Sequence, residues 1–243
     1  MAEDEIRKHG KIVYETLTKN EKGWQHKLKD ILVEILIIVF AVSVSIWFHN
    51  WSESLKDRKQ EKEFLIGLKE DVRADLNEMK GDSAAYQTVL KGALYFQKVG
   101  AGRMLSMDSL QHYGWIFFVN ARKQSRTSRF EALKSSGKLD IIENKSLLAD
   151  IISLYQEINP NIAEGDRQFS NYTTNTIGAY LDVHAKLDSN NNITNWLELI
   201  RDNQFRMALF RTNSIRDIIT AYTMGIRKCE KIIKEIDEQT GKE

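Results

Sequence analysis

Residues 31–48 read ILVEILIIVFAVSVSIWF, eighteen residues in which Glu34, Ser43 and Ser45 are the only hydrophilic side chains. At about 1.5 Å of rise per helical residue the run spans roughly 27 Å, close to the ~30 Å hydrocarbon core that a membrane-crossing helix traverses. An α-helix pairs its own backbone amides, so it can cross where no water is present to do so. No other stretch of the 243 residues is as long and apolar, and a single pass is the expectation. About thirty residues, many of them charged, precede the run, and aromatic and polar residues rather than a small-x-small site follow it. That pattern argues for an uncleaved anchor over a signal peptide. Trp47 and Trp51 sit one helical turn apart at the exit, where amphipathic rings suit the headgroup level, and Trp24 precedes the opposite end.

Working outward, the basic residues flanking the run tie: Lys19, Lys22, Lys27 and Lys29 on one side, Lys56, Arg58, Lys59 and Lys62 on the other. Arg7, Lys8 and Lys11 extend the N-terminal count, so the expected topology is a signal-anchor with its short N-terminus in the cytoplasm. The C-terminal domain is then periplasmic, on a bacterial inner membrane. This divides the chain into a polar segment at 1–28, an anchor at 29–51 and a domain at 52–243.

The domain reads as helical. The whole chain has one proline, Pro160, and 28% charged residues interleaved with apolar ones at spacings of three and four. No breaker separates the anchor from the stripe Phe64, Leu65, Leu68, Val72, Leu76 and Met79, which continues through Tyr86, Val89, Leu90, Ala93 and Leu94 after a kink expected at Gly81 and Asp82. A turn at Gly100 and Gly102 and a helix from about 108 to 120 come next. Residues 127–155, TSRFEALKSSGKLDIIENKSLLADIISLY, read as two capped helices. Thr127 or Ser128 opens the first, Gly137 supplies a left-handed exit, and Asn144 starts the second. Pro160 should kink or split that second helix. Thr194 should cap a helix carrying Trp196, and a last helix should run from about 213 to 238. The expected fold is all-α: a single N-terminal transmembrane helix continuing into an antiparallel helical bundle.

The anchor and its exit, EILIIVFAVSVSIWFHNW, together with Phe130, Leu133, Ser136, Gly137 and Leu139 of FEALKSSGKLDII and the closing long helix, carry a resemblance. From about residue 25 onward the chain resembles an uncharacterised family of small single-pass membrane proteins found mainly in Bacteroidota. In that pattern an acidic residue opens a Leu, Ile and Val run that ends in polar residues and a tryptophan, and Glu34 and Trp51 occupy those places. This anchor is rich in Val and Ser where the family has Gly and Leu. The resemblance implies location and architecture and supplies no activity.

Chemistry is sparse. The five histidines show neither HExxH nor His-x-x-x-His spacing, and the single cysteine, Cys229, excludes a CxxC site, so no metal is expected. No GxSxG elbow, phosphate loop or GxGxxG turn is present, and no catalytic residue or cofactor is expected. A net charge of +1 from 35 basic and 34 acidic residues gives no reason to invoke nucleic acid.

Two features stand out. Glu34, about one turn inside the apolar run, must snorkel toward the headgroups or take a packing or proton-linked role, because a bare carboxylate there costs several kcal/mol. With Ala41 and Ser45 it shares a small and polar face through which anchors could pair as a homo-oligomer. The basic group Arg122, Lys123, Arg126 and Arg129, at a helix start, could meet an anion or a partner; the alternative is a solvated turn in which Arg129 pairs with Glu131 or Glu143. The expected function is a membrane-anchored scaffold, sensor or interaction module whose partners are the lipid bilayer and a membrane or envelope protein. A cell-envelope enzyme or a transport accessory subunit is the alternative.

Overall fold

The computed structural model describes residues 2–18, 24–103, 106–118 and 125–241. The protein is all-α: among the described residues there is no strand, only a lone antiparallel bridge between Leu187 and Ile193. It divides into two compact units, Met1–Lys59 and Gln60–Glu243. The division falls just before Glu61, the first buried residue of its helix among those whose burial is described.

In the first unit, α1 (Ala2–Thr18) precedes α2 (Trp24–Gly100), and His9 of α1 meets Glu34 of α2. Among the described residues, α2 is the one helix long and apolar enough to cross a membrane, and it remains helical over 77 residues. Gly81 and Asp82 do not interrupt it, because each amide there keeps its place in the helical ladder.

The second unit is built on the remainder of α2. Leu65, Leu68, Val72, Met79, Tyr86 and Phe96 recur at intervals of three, four, seven and ten and are all but inaccessible to solvent. Gly102 closes α2 in the left-handed conformation (φ 73°), and the amides of Gly102 and Arg103 bond back to the carbonyls of Val99 and Lys98. The chain continues through α3 (Met107–Tyr113) and a 3-10 segment, Gly114–Phe118. Further on, α4 (Ser128–Ser135) lies beside the start of the bundle, against Asp71 and Asp75. Thr127 holds the cap position of α4 without a side-chain cap bond. Gly137 (φ 70°) ends α4 and a 3-10 turn follows, and the amide of Glu143 donates to the buried Glu61 carboxylate.

Asn144 then caps a long helical rod, accepting from the amides of Ser146 and Leu147 at 3.1 Å each. The rod comprises α5 (Lys145–Ser153), a π turn at Leu154–Ile158, α6 (Asn159–Tyr172), a second π turn at Thr173–Gly178 and α7 (Ala179–His184). Pro160 has no amide hydrogen for the carbonyl four residues back, and the π turn directly before it lets the helix widen and continue rather than split. After a polar loop the chain forms α8 (Trp196–Arg201), α9 (Asn203–Arg211) and α10 (Ile215–Thr240). Asn195, not Thr194, stands at the start of α8; the Thr194 hydroxyl bonds the Lys186 carbonyl and closes the loop instead.

Three long helices form the core. The rod runs parallel to α2, with Tyr86 packed on Phe169, while α10 returns antiparallel, pairing Asp237 with Lys69 and Glu230 with Lys80. Each of these surface pairs contributes at most about 1 kcal/mol, so the buried stripe Ile218, Tyr222, Gly225, Cys229, Ile232 and Ile236 fixes the position of α10. Gly225 marks a close crossing of α10 with α2 and the rod: a Cβ there would stand 2.9 Å from Met79 Sδ and 3.0 Å from Ile162 Cδ1. Replacing Gly225 by Leu should destabilise the bundle by about 1–3 kcal/mol, whereas Gly81→Ala, with open space around it, should stabilise by about 0.5–1 kcal/mol. Denaturant unfolding of the purified chain in micelles, followed by circular dichroism, checks both signs.

Candidate functional site

The carboxylate of Glu34 is a quarter exposed, and its Oε1 lies 3.0 Å from His9 Nδ1. Its partner is thus a histidine outside the apolar run. Around it the run is open: from residue 31 to 48 every side chain but those of Ile31 and Glu34 is exposed. Ala41 and Ser45 lie one turn apart on that surface, and the Ser45 hydroxyl donates to the Ala41 carbonyl at 2.8 Å. Trp47 and Trp51 stack with ring centroids 6.2 Å apart, and Phe48 meets Trp51 edge-on at 5.5 Å.

The basic group divides. Arg122 and Lys123 lie outside the described residues. Arg126 donates through its guanidinium to Asp75 at 3.1 Å and to Glu78 at 3.5 Å, and its backbone amide also points at the Asp75 carboxylate. Arg129 donates to Asp71 at 2.9 Å, so its partner is neither Glu131 nor Glu143. Arg129 also passes directly over Gly67, where any side chain would collide with its guanidinium. These guanidinium groups pin the start of α4 to α2. Below them, Lys138 bonds Gln60, and Glu61 accepts from both the Glu143 amide and the Gln239 side chain at 2.9 Å.

The most tightly organised polar group lies where α2, α6 and α10 meet, and the sequence reading did not single it out. Asp166 is 2% exposed. Its Oδ1 accepts from the Tyr86 hydroxyl and its Oδ2 from the Tyr222 hydroxyl, both at 2.8 Å. Tyr222 also reaches Asp82 at 3.4 Å. The available signal was an acid in an apolar series: Asp166 falls on the repeat Ile162, Asp166, Phe169, Thr173, where every other member is buried with it. A second acidic pin, Asp150, receives Lys228 and Lys231 of α10. Burial pushes the Asp150 carboxyl up, and the lysine hydrogen bonds more than offset this and hold it below its usual value.

Burial pushes the hydroxyls of Tyr86 and Tyr222 well above the ordinary phenol range, and the Asp166 charge and hydrogen bonds push the same way. Tyr155, stacked on Phe130 with centroids 4.8 Å apart, is raised by burial and then by Asp75 and Asp71. These groups hold protons; they are poor acids at any ordinary pH. The arrangement is suited to fixing helix register. Separately, an open groove of about 520 Å³ runs between α6 and α10, bordered by Gly165, Gln168, Tyr172, Arg211 and Asp217. Among the described residues no group of three His, Cys, Asp or Glu side chains is placed to hold a metal ion.

No family model, curated protein or solved structure matches this chain.

Tyr86, Tyr155 and Tyr222, three of the buried phenols, set an alkaline limit. Their folded pKa values lie above the unfolded value near 10, so their contribution is complete below pH 10 and fades as the pH rises above it. Between the unfolded and folded values the unfolded chain binds fewer protons, and each tyrosine removes up to about 1.4 kcal/mol of stability per pH unit. The melting temperature should be level from pH 7 to about 9 and fall steeply beyond about 10. Replacing Tyr86 and Tyr222 by Phe should flatten that fall. A scan of thermal unfolding against pH on both proteins is the check.

Proposed function

We propose that this chain is a membrane-anchored helical interaction module, a scaffold or sensor, of the Bacteroidota family that it resembles. The supporting observation is that a single helix, α2, carries both the exposed apolar run and the stripe on which the bundle is built. A displacement or rotation of the anchor would thereby act on the element to which α4, α6 and α10 are fastened by Arg126, Arg129, Tyr86 and Tyr222. The stacked Trp47 and Trp51 support the end of the run as its interfacial boundary. In this reading the protein crosses the inner membrane once as a signal-anchor and presents its bundle to the periplasm.

Full-length protein should sediment with the inner membrane and resist carbonate extraction, and removal of residues 1–59 should release a soluble bundle. A periplasmic reporter fused after residue 243 should be active, and two lysines added after Trp51 should lower that activity. Recovery of the intact chain in the soluble fraction contradicts the anchor; cytoplasmic reporter activity contradicts the orientation alone.

A further inference from the structure

Trp196 is 1% exposed, yet among the described residues its Nε1 has no hydrogen-bond partner. A buried indole N–H ordinarily finds an acceptor, so an orphaned one points to an acceptor that the chain does not supply. The edge of the ring that carries Nε1 faces Gly114, where a Cβ would stand 2.9 Å from Cζ2 and 3.6 Å from Cε2. The backbone of Gly114 is ordinary right-handed helix (φ −58°), so the glycine serves the close approach of the indole rather than the conformation of the chain. Both residues line an open pocket of about 550 Å³ beside the last turns of α2, within the roughly 300–1,000 Å³ of small-ligand sites. Its lining includes large apolar side chains left in solvent, Trp115, Phe118 and Leu187. Two of its amides are committed to bracing the loop: Gln111 donates to the Ile193 carbonyl at 2.9 Å and Asn192 to Asp188 at 3.2 Å. Asp182 and Asn191 are exposed, and among the described residues Asp182 is the one charged member of the lining.

These groups define what fits. The aromatic rings suit a ligand with an apolar C–H face, because the negative face of a π-system attracts positively polarised hydrogens. Asp182 calls for donors, Trp196 for an acceptor, and the lone negative charge turns anions away. An organic cation would satisfy Asp182 and the rings, but an ammonium group accepts no hydrogen bond and leaves the indole N–H unpaired. Hydroxyl groups both donate and accept. We propose that this pocket binds an uncharged saccharide, a sugar ring lying on Trp115 and Phe118 with its hydroxyls donating to Asp182 and accepting from Trp196. Trp196 meets Phe96 of α2 edge-on with centroids 5.0 Å apart, so the occupant touches a ring that packs on the helix carrying the apolar run. The saccharide is thereby a stimulus for the sensor reading, while the site itself does not depend on the anchor.

The full-length protein in phosphatidylcholine nanodiscs, which unlike maltoside micelles present no sugar of their own, is titrated with maltose, cellobiose and N,N′-diacetylchitobiose. Saturation transfer from protein to sugar protons is read by NMR, with empty nanodiscs as the blank. At least one of the three disaccharides should bind, with a Kd in the millimolar range. Trp115→Ala and Asp182→Ala, at exposed positions where folding is not at stake, should each weaken that binding several-fold, and so should Trp196→Phe, which keeps a ring and removes the N–H. Met224→Ala, exposed on α10 and outside the lining, should leave it unchanged. Absence of transfer to all three sugars overturns the proposal, as does transfer that survives both Trp115→Ala and Asp182→Ala. Choline binding that is stronger than that of any sugar and indifferent to Trp196→Phe makes the pocket a cation site and overturns it as well.

Discussion

Asp166 places a carboxylate, 2% exposed, between a phenol of α2 and a phenol of α10. Removing a carboxylate from water carries a penalty of several kcal/mol, which is offset only when its oxygens are filled with good geometry. Here both are filled at 2.8 Å, and hydrogen bonds to a charged acceptor contribute about 1.5–3 kcal/mol each. Apolar stripes alone would tolerate sliding of one helix along another, since Leu, Ile and Val make interchangeable contacts. A buried carboxylate does not tolerate it: a one-turn slip of α10 would break the hydrogen bond between Asp166 and Tyr222. The tie therefore selects one register among those that the apolar packing permits.

The remaining polar contacts extend that register toward the first residues of the bundle. Asp150 holds Lys228 and Lys231, Asp71 and Asp75 hold Arg129 and Arg126, and Glu61 joins the Glu143 amide to Gln239. In each case the acid lies on α2 or on the rod, and its partner comes from the segment that has to be fastened. Arg126 and Arg129, which the sequence marked as a basic group open to an anion, are two of these fasteners. α2 therefore cannot shift against the rest of the bundle without disturbing the buried carboxylates Glu61 and Asp75.

Periodicity made the helices legible. Leu65, Leu68, Val72 and Met79 on α2 follow local spacing, and so do Asn144 as a cap and Gly137 as a left-handed exit, because a helix dictates which neighbours share a face and which amides need a partner. Long-range choices were hidden. Arg129 has acids at 131 and 143 close by in sequence yet pairs with Asp71, since the chain turns back at Gly102 and returns to the start of the bundle. Pro160 was visible as a breaker, but the π turn that absorbs it depends on packing over the whole rod. Asp166 was concealed because a lone acid on an apolar face looks like a solvated position until two tyrosines from other helices are brought to it.

The most direct test of this account is native-state hydrogen exchange on the full-length chain in nanodiscs, comparing the protein with its Asp166→Ala variant. The account predicts that protection falls together in α2 around Tyr86, in α6, and in α10 around Tyr222, because one carboxylate holds all three. Loss of protection confined to α6, with α2 and α10 unchanged, would contradict it.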